Sequence, residues 1–260
     1  MNGFLLFIYM FFKKKIFLII ILLIPLFIFS NNSENDKEKQ KKSWNASTYL
    51  SFSLSKGNSE GRTYSGQAHF NYNVKYYALG IAYEQYYGKN KDIVNINKGK
   101  ALLTFNRTIK NRLNVSSSFI YEYDRIASLA YRFNYGLGLS YSNRDNLNNI
   151  LILTSNLIYE ITHYNSNIKE DKKSFRFLLL AQSKFKIANN SLWESSFSYT
   201  PNISNPHIDY RLELKSSVKF LINFPLWFKF SILNQYNNNP PSEKIRKNDF
   251  TMVTGIEVTI

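Results

Sequence analysis

The chain has 260 residues and no cysteine, and its 33 Lys and Arg against 18 Asp and Glu give a formal net charge of +15. The absence of cysteine excludes disulfides, thiolate zinc sites, Cys nucleophiles and a lipid-modified N-terminal Cys. The length suits one all-β barrel domain. A basic balance can indicate a nucleic-acid partner, but the many Lys, Asn and Ile residues are also typical of an AT-rich genome, so no nucleic-acid partner is predicted.

The aromatic content is high for a chain of low mean hydropathy. There are 21 Phe, 19 Tyr and 3 Trp, while the mean hydropathy is −0.30. A transmembrane barrel has this combination, because lipid-facing apolar residues alternate with polar lumen residues and aromatic girdles line both interfaces. The composition therefore favours a membrane barrel.

The amino-terminal region has the pattern of a secretory signal. Three lysines at residues 13–15 precede an apolar run at residues 16–29 and the small residue Ser30. These match the n-region, the h-region and the cleavage position of a signal peptide. A second apolar run at residues 4–12 leaves open an uncleaved anchor, and export is predicted in both cases. The expected organisation is a signal peptide at residues 1–30, a polar periplasmic linker at residues 31–43 and an outer-membrane barrel domain at residues 44–260.

Apolar residues occupy alternate positions along the remaining chain. Trp44, Leu50 and Phe52 share one face of the first segment, and residues 129–141 alternate in the same way. A period of two is typical of a strand with one apolar face, whereas the helical repeat of about 3.6 residues would mix the faces. Similar segments begin near Thr63, Tyr76, Lys100, Leu113, Asn149, Phe175, Leu192, Asp209, Leu226 and Phe250.

These segments predict an all-β fold, a transmembrane antiparallel up-and-down β-barrel of about twelve strands. An even number suits closure, which leaves no unpaired strand edge in lipid. Longer polar connections at residues 55–62, 88–99, 162–174, 201–208 and 237–249 alternate with turns at residues 71–75, 110–112, 143–147, 188–191 and 223–225. Outer-membrane barrels have this asymmetry of long extracellular loops and short periplasmic turns. Only the connection at residues 124–128 is shorter than its side predicts.

Several short motifs are spread over residues 44–260. They are residues 54–60 with Gly57 and Asn58, the run Tyr123, Asp124 and Arg125 followed by Leu129 and Arg132, the strand at residues 136–139, the run Asp209, Tyr210 and Arg211, and the segment 240–247 beginning with Pro240, followed by Asp249 and Gly255. In this order they resemble the salt-induced outer-membrane protein family, a bacterial domain of unknown function. The resemblance implies an outer-membrane barrel associated with salt or osmotic stress, and it implies no established activity.

Charged residues fall on the strand face opposite the apolar residues. They are expected to face the lumen, because Arg or Lys facing lipid costs roughly 2 to 4 kcal/mol at the bilayer midplane. The predicted lumen charges are Arg132, Arg176, Lys184, Glu194, Arg211, Glu213, Lys215, Lys219 and Lys229.

The size of the predicted barrel does not decide whether its lumen is open. A lumen rich in cations could conduct small anions, whereas Glu194 and Glu213 could pair with the cations and plug it. A barrel of about twelve strands lies between the filled and the open classes. The preferred prediction is a structural or narrow-pore barrel, with a channel for small anions or solutes as the alternative.

A lipid-modifying enzyme is a second alternative. Such an enzyme would need a His, a Ser nucleophile and an orienting polar group. Of the histidines, His69, His163 and His207, only His69 lies in a predicted strand, with Ser65 and Gln67 on its face. Because Ser and Asn are abundant throughout, His69 is expected to be an ordinary polar residue, and the protein is predicted not to be an enzyme.

Neither a carboxylate pair nor a metal site is predicted. Glu122 and Asp124 share a strand face, but Asp124 is expected to hold its turn through ionic contacts, with Arg132 as a partner across the hairpin. No acidic loop has calcium-binding spacing, and no cofactor is predicted.

The predicted partners are outer-membrane lipid, including lipopolysaccharide, and the barrel-assembly machinery. Basic loops at residues 89–100, 169–173 and 244–247 favour contact with lipopolysaccharide phosphates, although ordinary solvated loop charge would look the same. A secreted β-sandwich or lipocalin-like binder is a further alternative, but it would have polar outer faces, which the Tyr- and Phe-lined strands contradict.

Overall fold

The computed structural model describes residues 43–55, 61–90, 93–146, 149–165, 171–241, 243 and 245–260. The strands are β1 (Ser43–Ser55), β2 (Gly61–Val74), β3 (Tyr77–Asn90), β4 (Ile93–Lys110), β5 (Leu113–Asp124), β6 (Leu129–Asn146), β7 (Asn149–Tyr164), β8 (Lys172–Ala188), β9 (Ser191–Pro201), β10 (Tyr210–Asn223), β11 (Leu226–Asn237) and β12 (Asn248–Thr259). Within the described residues, no helix has the length and apolar character needed to cross a membrane.

The twelve strands form one closed antiparallel barrel in which each strand pairs with its sequence neighbours and β12 pairs with β1. The predicted up-and-down barrel is therefore confirmed. Eleven strands begin within three residues of the predicted position. The shortest strand has 11 residues, enough to cross a bilayer, which needs about 9 to 11 residues of tilted strand.

The two ends of the barrel differ in their connections. At one end, which we call the turn end, each hairpin turn has two residues, at 75–76, 111–112, 147–148, 189–190 and 224–225. The opposite end, the loop end, has connections of up to ten residues, the longest at 238–247. By the usual asymmetry of outer-membrane barrels, we expect the turn end to be periplasmic and the loop end to be extracellular.

The prediction of a long loop at residues 88–99 is wrong. Strands β3 and β4 stay paired as far as Asn90 and Ile93, so only residues 91–92 connect them. The sequence looks polar here because Lys98 and Lys100 are inward-facing strand residues, which form ion pairs across the lumen. A polar stretch of sequence can therefore be a strand whose charged side chains face the lumen, and not a loop.

The outer face is mostly aliphatic at the waist, where Tyr83 and Phe197 are exceptions, and aromatic towards both ends. Exposed residues of the waist include Leu50, Ile81, Leu137, Leu153, Leu157, Leu179 and Met252. Outward aromatic residues near the loop end include Tyr64, Tyr121, Tyr123, Tyr131, Phe175, Tyr199, Tyr210, Tyr236 and Phe250, and those near the turn end include Trp44, Phe70, Tyr76, Tyr141, Phe185, Trp193 and Phe220. Across the middle of the described strands no Lys, Arg, Asp or Glu faces outward, as the hydrocarbon core of a bilayer requires.

The two closing strands share fewer paired residues than any other two neighbouring strands of the described barrel. Strands β1 and β12 pair from Ser47 with Thr259 to Ser51 with Gly255, and Ala46 and Ile260 exchange backbone hydrogen bonds of 2.9 and 2.8 Å. Beyond Gly255 both strands continue toward the loop end, but the described residues there pair only with β2 and β11. We call this closing pair the seam.

Candidate functional site

The candidate site is the charged interior of the barrel. All nine residues predicted as lumen charges occupy inward positions of their strands, and each forms an ion pair with a residue on another element. Their side chains range from almost fully buried at Arg176 to about one-third exposed at Lys184. The pairs fall into three groups along the barrel, which are described from the loop end to the turn end.

The first group, which we call the arginine cluster, surrounds Glu160 on β7. Arg211 contacts both carboxylate oxygens of Glu160 at 2.8 Å. The Nε atoms of Arg176 and Arg132 lie 3.1 and 3.7 Å from Glu160 Oε2, and Arg132 also donates to Glu122 at 2.8 Å. The Glu160 side chain is 1% exposed, so its charge is compensated by arginines instead of by water.

The arginine cluster also holds the connection between β9 and β10 at the barrel mouth. Arg176 Nη2 donates to Asp209 Oδ1 at 2.7 Å, and Asn202 donates to Asp209 Oδ2 at 3.0 Å. Lys172 forms an ion pair with the same carboxylate. Burial raises the pKa of the Asp209 carboxyl, but the hydrogen bonds from Lys172 and Arg176 outweigh burial, so the pKa lies well below its usual range.

The second group, the cross-lumen pairs, joins distant strands. Lys100 on β4 lies 3.4 Å from Glu213 on β10, and these strands are six positions apart in the ring of twelve. Lys215 on β10 forms an ion pair with Glu84 on β3. These side chains must therefore extend across the lumen from opposing walls.

A third cross-lumen contact lies beside these pairs. Lys98 on β4 contacts Asp249 on β12 at 2.5 Å and donates to Gln235 on β11 at 2.8 Å. Gln235 in turn donates to Glu213 at 2.9 Å. The contacts of Lys98 and the Lys100–Glu213 pair are thereby joined into one network.

The third group, near the turn end, contains three lysines and two glutamates on β8 to β12. Glu257 accepts from Lys219 at 2.5 Å and from Lys229 at 2.8 Å. Glu194 contacts Lys219 at 2.8 Å and Lys184 at 3.6 Å. Unlike the second group, these pairs join strands that are at most two positions apart in the ring.

The sequence prediction missed carboxylates that balance much of the interior charge. The nine predicted lumen residues contain two carboxylates, whereas six further carboxylates form interior ion pairs, namely Glu84, Glu122, Glu160, Asp209, Asp249 and Glu257. Alternation could have found four of the six, because Glu84, Glu122, Glu160 and Glu257 occupy the inward positions of strands. The interior is therefore far closer to charge balance than the predicted set implied.

His69 has no hydrogen-bond partner among the described residues. Ser65, on the same face, bonds to Ser51 at 2.5 Å, and Gln67 donates to Tyr86 at 2.9 Å. The three groups needed for an activated nucleophile are therefore not assembled around this histidine. Within the described residues, no group of three His, Asp or Glu side chains could hold a metal ion.

Two expected contacts are wrong. Asp124 does hold its turn, but it accepts the backbone N–H groups of Ile126 and Ala127 at 3.1 and 3.0 Å, while Arg132 pairs with Glu122 and Glu160. The bulge in the hairpin separates Asp124 from Arg132. The basic loop expected at residues 89–100 also places Lys98 and Lys100 inside the barrel, where ion pairs occupy them.

The remaining motif residues lie near the loop end. Asp209 and Arg211 bind the arginine cluster on either side of Tyr210, which packs 5.9 Å from Tyr199 and from Tyr236 between ring centroids. Pro240 lies in the connection between β11 and β12. Gly57, Asn58, the predicted signal peptide and most of the predicted linker lie outside the described residues.

A family model described as "Protein of unknown function, DUF481" matches residues 48–260, which is the barrel just described. The chain belongs to this family. The family is one of unknown function, as the motif resemblance implied, and no curated protein matches the chain significantly.

Several solved outer-membrane channels have a fold similar to this DUF481 barrel. The NanC porin aligns with a TM-score of 0.51 and 8% identity over 82% of this chain and 98% of that one. The KdgM porin in complex with disordered oligogalacturonate gives 0.46 and 8% over 82% and 98%, and an outer-membrane channel from Pseudomonas putida F1 gives 0.45 and 7% over 88% and 100%. At such identity the NanC likeness shows the fold alone. That fold and the apolar outer face place the chain in a bacterial outer membrane.

Proposed function

We propose that this chain is a non-enzymatic outer-membrane barrel whose lumen is closed, or nearly closed, by ion pairs between opposing walls. The cross-lumen pairs carry the proposal. Lys100 with Glu213, and Lys215 with Glu84, connect β10 to the far side of the barrel. A path for solutes must pass around or displace these side chains.

The balance of interior charge supports a closed barrel more than an anion channel. An anion-selective lumen needs cations that are free to attract the passing ion. The lysines and arginines predicted to face the lumen are instead bound to carboxylates. The isolation of His69 likewise gives no support to a lipid-modifying enzyme.

A role under salt or osmotic stress is part of the proposal. Buried ion pairs are screened by dissolved salt much less than surface pairs. The Glu160 and Arg176 side chains are each 1% exposed, and that of Glu257 is 3% exposed. Such pairs would persist in concentrated salt and keep the barrel folded while the medium changes, whereas the cross-lumen pairs, whose side chains are 19 to 31% exposed, would be screened more strongly.

Planar-bilayer recording of the refolded protein tests the proposal. We expect the wild type to give no conductance steps or only small ones. A variant that removes the Lys100–Glu213 and Lys215–Glu84 pairs, Glu84→Ala/Lys100→Ala/Glu213→Ala/Lys215→Ala, should give clearly larger steps because only the contacts of Lys98 with Asp249 and Gln235 then join distant walls. Removing both partners avoids leaving a buried charge unpaired.

The matched control is Lys184→Ala/Glu194→Ala, which removes the ion pair between the neighbouring strands β8 and β9 and the contact of Glu194 with Lys219, while Lys219 keeps its pair with Glu257. Neither removed contact crosses the lumen, so the control should conduct like the wild type. Large steps from the wild type that match those of the four-residue variant would contradict a closed lumen.

A further inference from the structure

The outer face carries a hollow of about 450 Å³ at the loop end, beside the hairpin of β5 and β6. Its lining is Tyr121, Tyr123, Arg125, Ala130 and Asn165. The volume is within the range of small-ligand sites, about 300 to 1,000 Å³. The hollow lies at one of the motifs found in the sequence, Tyr123-Asp124-Arg125. None of these three residues belongs to the lumen ion pairs described above.

The hairpin geometry shapes this hollow. Asp124 caps the turn by accepting two backbone N–H groups, and Ser128 has the left-handed φ of 57°. Register shifts between Glu122 and Asp124 on β5, and between Leu129 and Tyr131 on β6, place Ala130 in a bulge. The small residue Ala130 therefore lies at the point where a regular hairpin would continue its backbone pairing.

The ring positions show that the hollow faces away from the lumen. Glu122 points inward to Arg132, so its neighbours Tyr121 and Tyr123 point outward by strand alternation. Their ring centroids are 6.3 Å apart, with the rings tilted by 44°. Tyr123 packs across Gly99 of β4, where an added Cβ would lie 2.6 Å from the ring. A close-packed pair of tyrosines thus forms the floor of the site.

The polar groups of the hollow are available for a ligand. The hydroxyls of Tyr121 and Tyr123, the Arg125 guanidinium and the Asn165 side-chain amide have no hydrogen-bond or ion-pair partner in the part of the chain that the structure describes. The backbones of Arg125 and Asn165 are nevertheless fixed, by bonds to Asn97 O at 3.0 Å and to Ser128 O at 2.9 Å. A fixed site with one cation that no described residue pairs with, and with several neutral donors, fits an anion that carries further polar groups.

We propose that this hollow binds a phosphate of lipopolysaccharide in the outer leaflet. Arg125 contacts the phosphate, because a guanidinium matches phosphate oxygens in a two-point contact. The tyrosine rings and hydroxyls contact the adjoining sugar, as aromatic residues with polar tips do at a membrane interface. Other outward-facing cations at the same end, Arg62, Lys89 and Lys173, complement an anionic leaflet. The site depends on the placement in the outer membrane and is independent of whether the lumen is closed.

Binding of purified lipid A to the refolded full chain in neutral detergent tests the site. We expect Arg125→Gln to weaken binding of bisphosphorylated lipid A by about tenfold, since a hydrogen-bonded charge is lost. Tyr123→Phe, which keeps the ring and deletes the hydroxyl, should weaken binding by about threefold. The matched control Lys173→Gln removes an outward charge at the same end and should change binding by less than about twofold.

Two further ligands identify the source of the phosphate. Dephosphorylated lipid A should bind the wild type as weakly as bisphosphorylated lipid A binds Arg125→Gln. Inorganic phosphate should compete only weakly, because it lacks the sugar that the tyrosines contact. Equal binding by wild type and Arg125→Gln, equal binding of both forms of lipid A, or a preference for free phosphate would each overturn the proposal.

Folding and conductance measurements separate this site from the proposed function. Circular dichroism should be the same for the wild type and Arg125→Gln, because Arg125 contributes no side-chain bond within the described fold. Its conductance should also equal that of the wild type. An open lumen with intact lipid A binding would refute the closed barrel alone, and a closed lumen without Arg125-dependent binding would refute the lipid site alone.

Discussion

Glu160 lies among three arginines at a position that water hardly reaches. Arg132 and Arg176 have second carboxylate partners, Glu122 and Asp209, but Arg211 depends on Glu160 for both of its ion-pair contacts. Glu160 therefore compensates a local excess of positive charge in a region of low dielectric constant.

We expect Glu160→Gln to destabilise the barrel by about 3 to 5 kcal/mol, because breaking a buried pair leaves an uncompensated charge. Urea unfolding of the refolded protein in detergent would measure the loss. Glu243→Gln, at an exposed loop residue, is the control and should change stability by less than about 0.5 kcal/mol. The double variant Glu160→Gln/Arg211→Gln should recover part of the loss, and a Glu160→Gln variant as stable as the wild type would contradict the assigned role.

Strand alternation alone could predict which charges face inward, but it could not predict their partners. Lys100 and Glu213 are 113 positions apart in sequence. Their contact depends on how far each strand is shifted against the next around the whole ring, which no local pattern encodes. The hollow at Arg125 was missed for a related reason, because it depends on two register shifts in one hairpin.

Among the elements, the seam has the fewest paired residues, so closure of the barrel depends on a short stretch of β1 and β12. Five register pairs and the backbone bonds between Ala46 and Ile260 join β1 to β12, and Gly255 ends this register towards the loop end. A Cβ added at Gly255 would lie 2.1 Å from the backbone oxygen of Leu50 and 2.6 Å from Ser51 Cα. Backbone cannot move aside as a flexible side chain can, so β1 and β12 approach closely only because residue 255 is glycine.

Gly255→Ala should therefore separate the strands at the seam and lower stability by about 1 to 3 kcal/mol. Gly66→Ala is the matched control, because its Cβ would meet only the Leu50 side chain at an ordinary 3.8 Å. The midpoints of urea unfolding for the two variants and the wild type give the comparison. Equal destabilisation by both substitutions would show that closure does not depend on Gly255.

Strand positions were largely predictable, because each strand carries an apolar outer face in a period of two. The exception was β4, where the inward Lys98 and Lys100 and the polar Asn95 and Asn97 near its start hid the alternation. The closing register of the seam could not be predicted, since strands at opposite ends of the sequence share no turn that fixes their alignment.

For the whole molecule, the interior ion pairs predict a weak dependence of stability on salt. The Debye length falls from about 10 Å at 0.1 M salt to about 3 Å at 1 M, but buried pairs are screened much less than exposed ones. The midpoint of urea unfolding should therefore change little between these two salt concentrations. A steep loss of stability in high salt would indicate that water and ions reach the pairs, which would argue against a closed lumen.

The class of molecule followed from composition and alternation, but its function did not. Alternation also means that neighbouring residues belong to different environments, one set touching lipid and the other touching charge. A mutation can therefore replace an inward lysine by a small residue without changing the apolar outer face formed by its neighbours. In evolutionary terms, substitutions inside the barrel can change its permeability while the residues that contact lipid stay the same. A closed barrel and a conducting barrel can therefore descend from one ancestor through few codon changes.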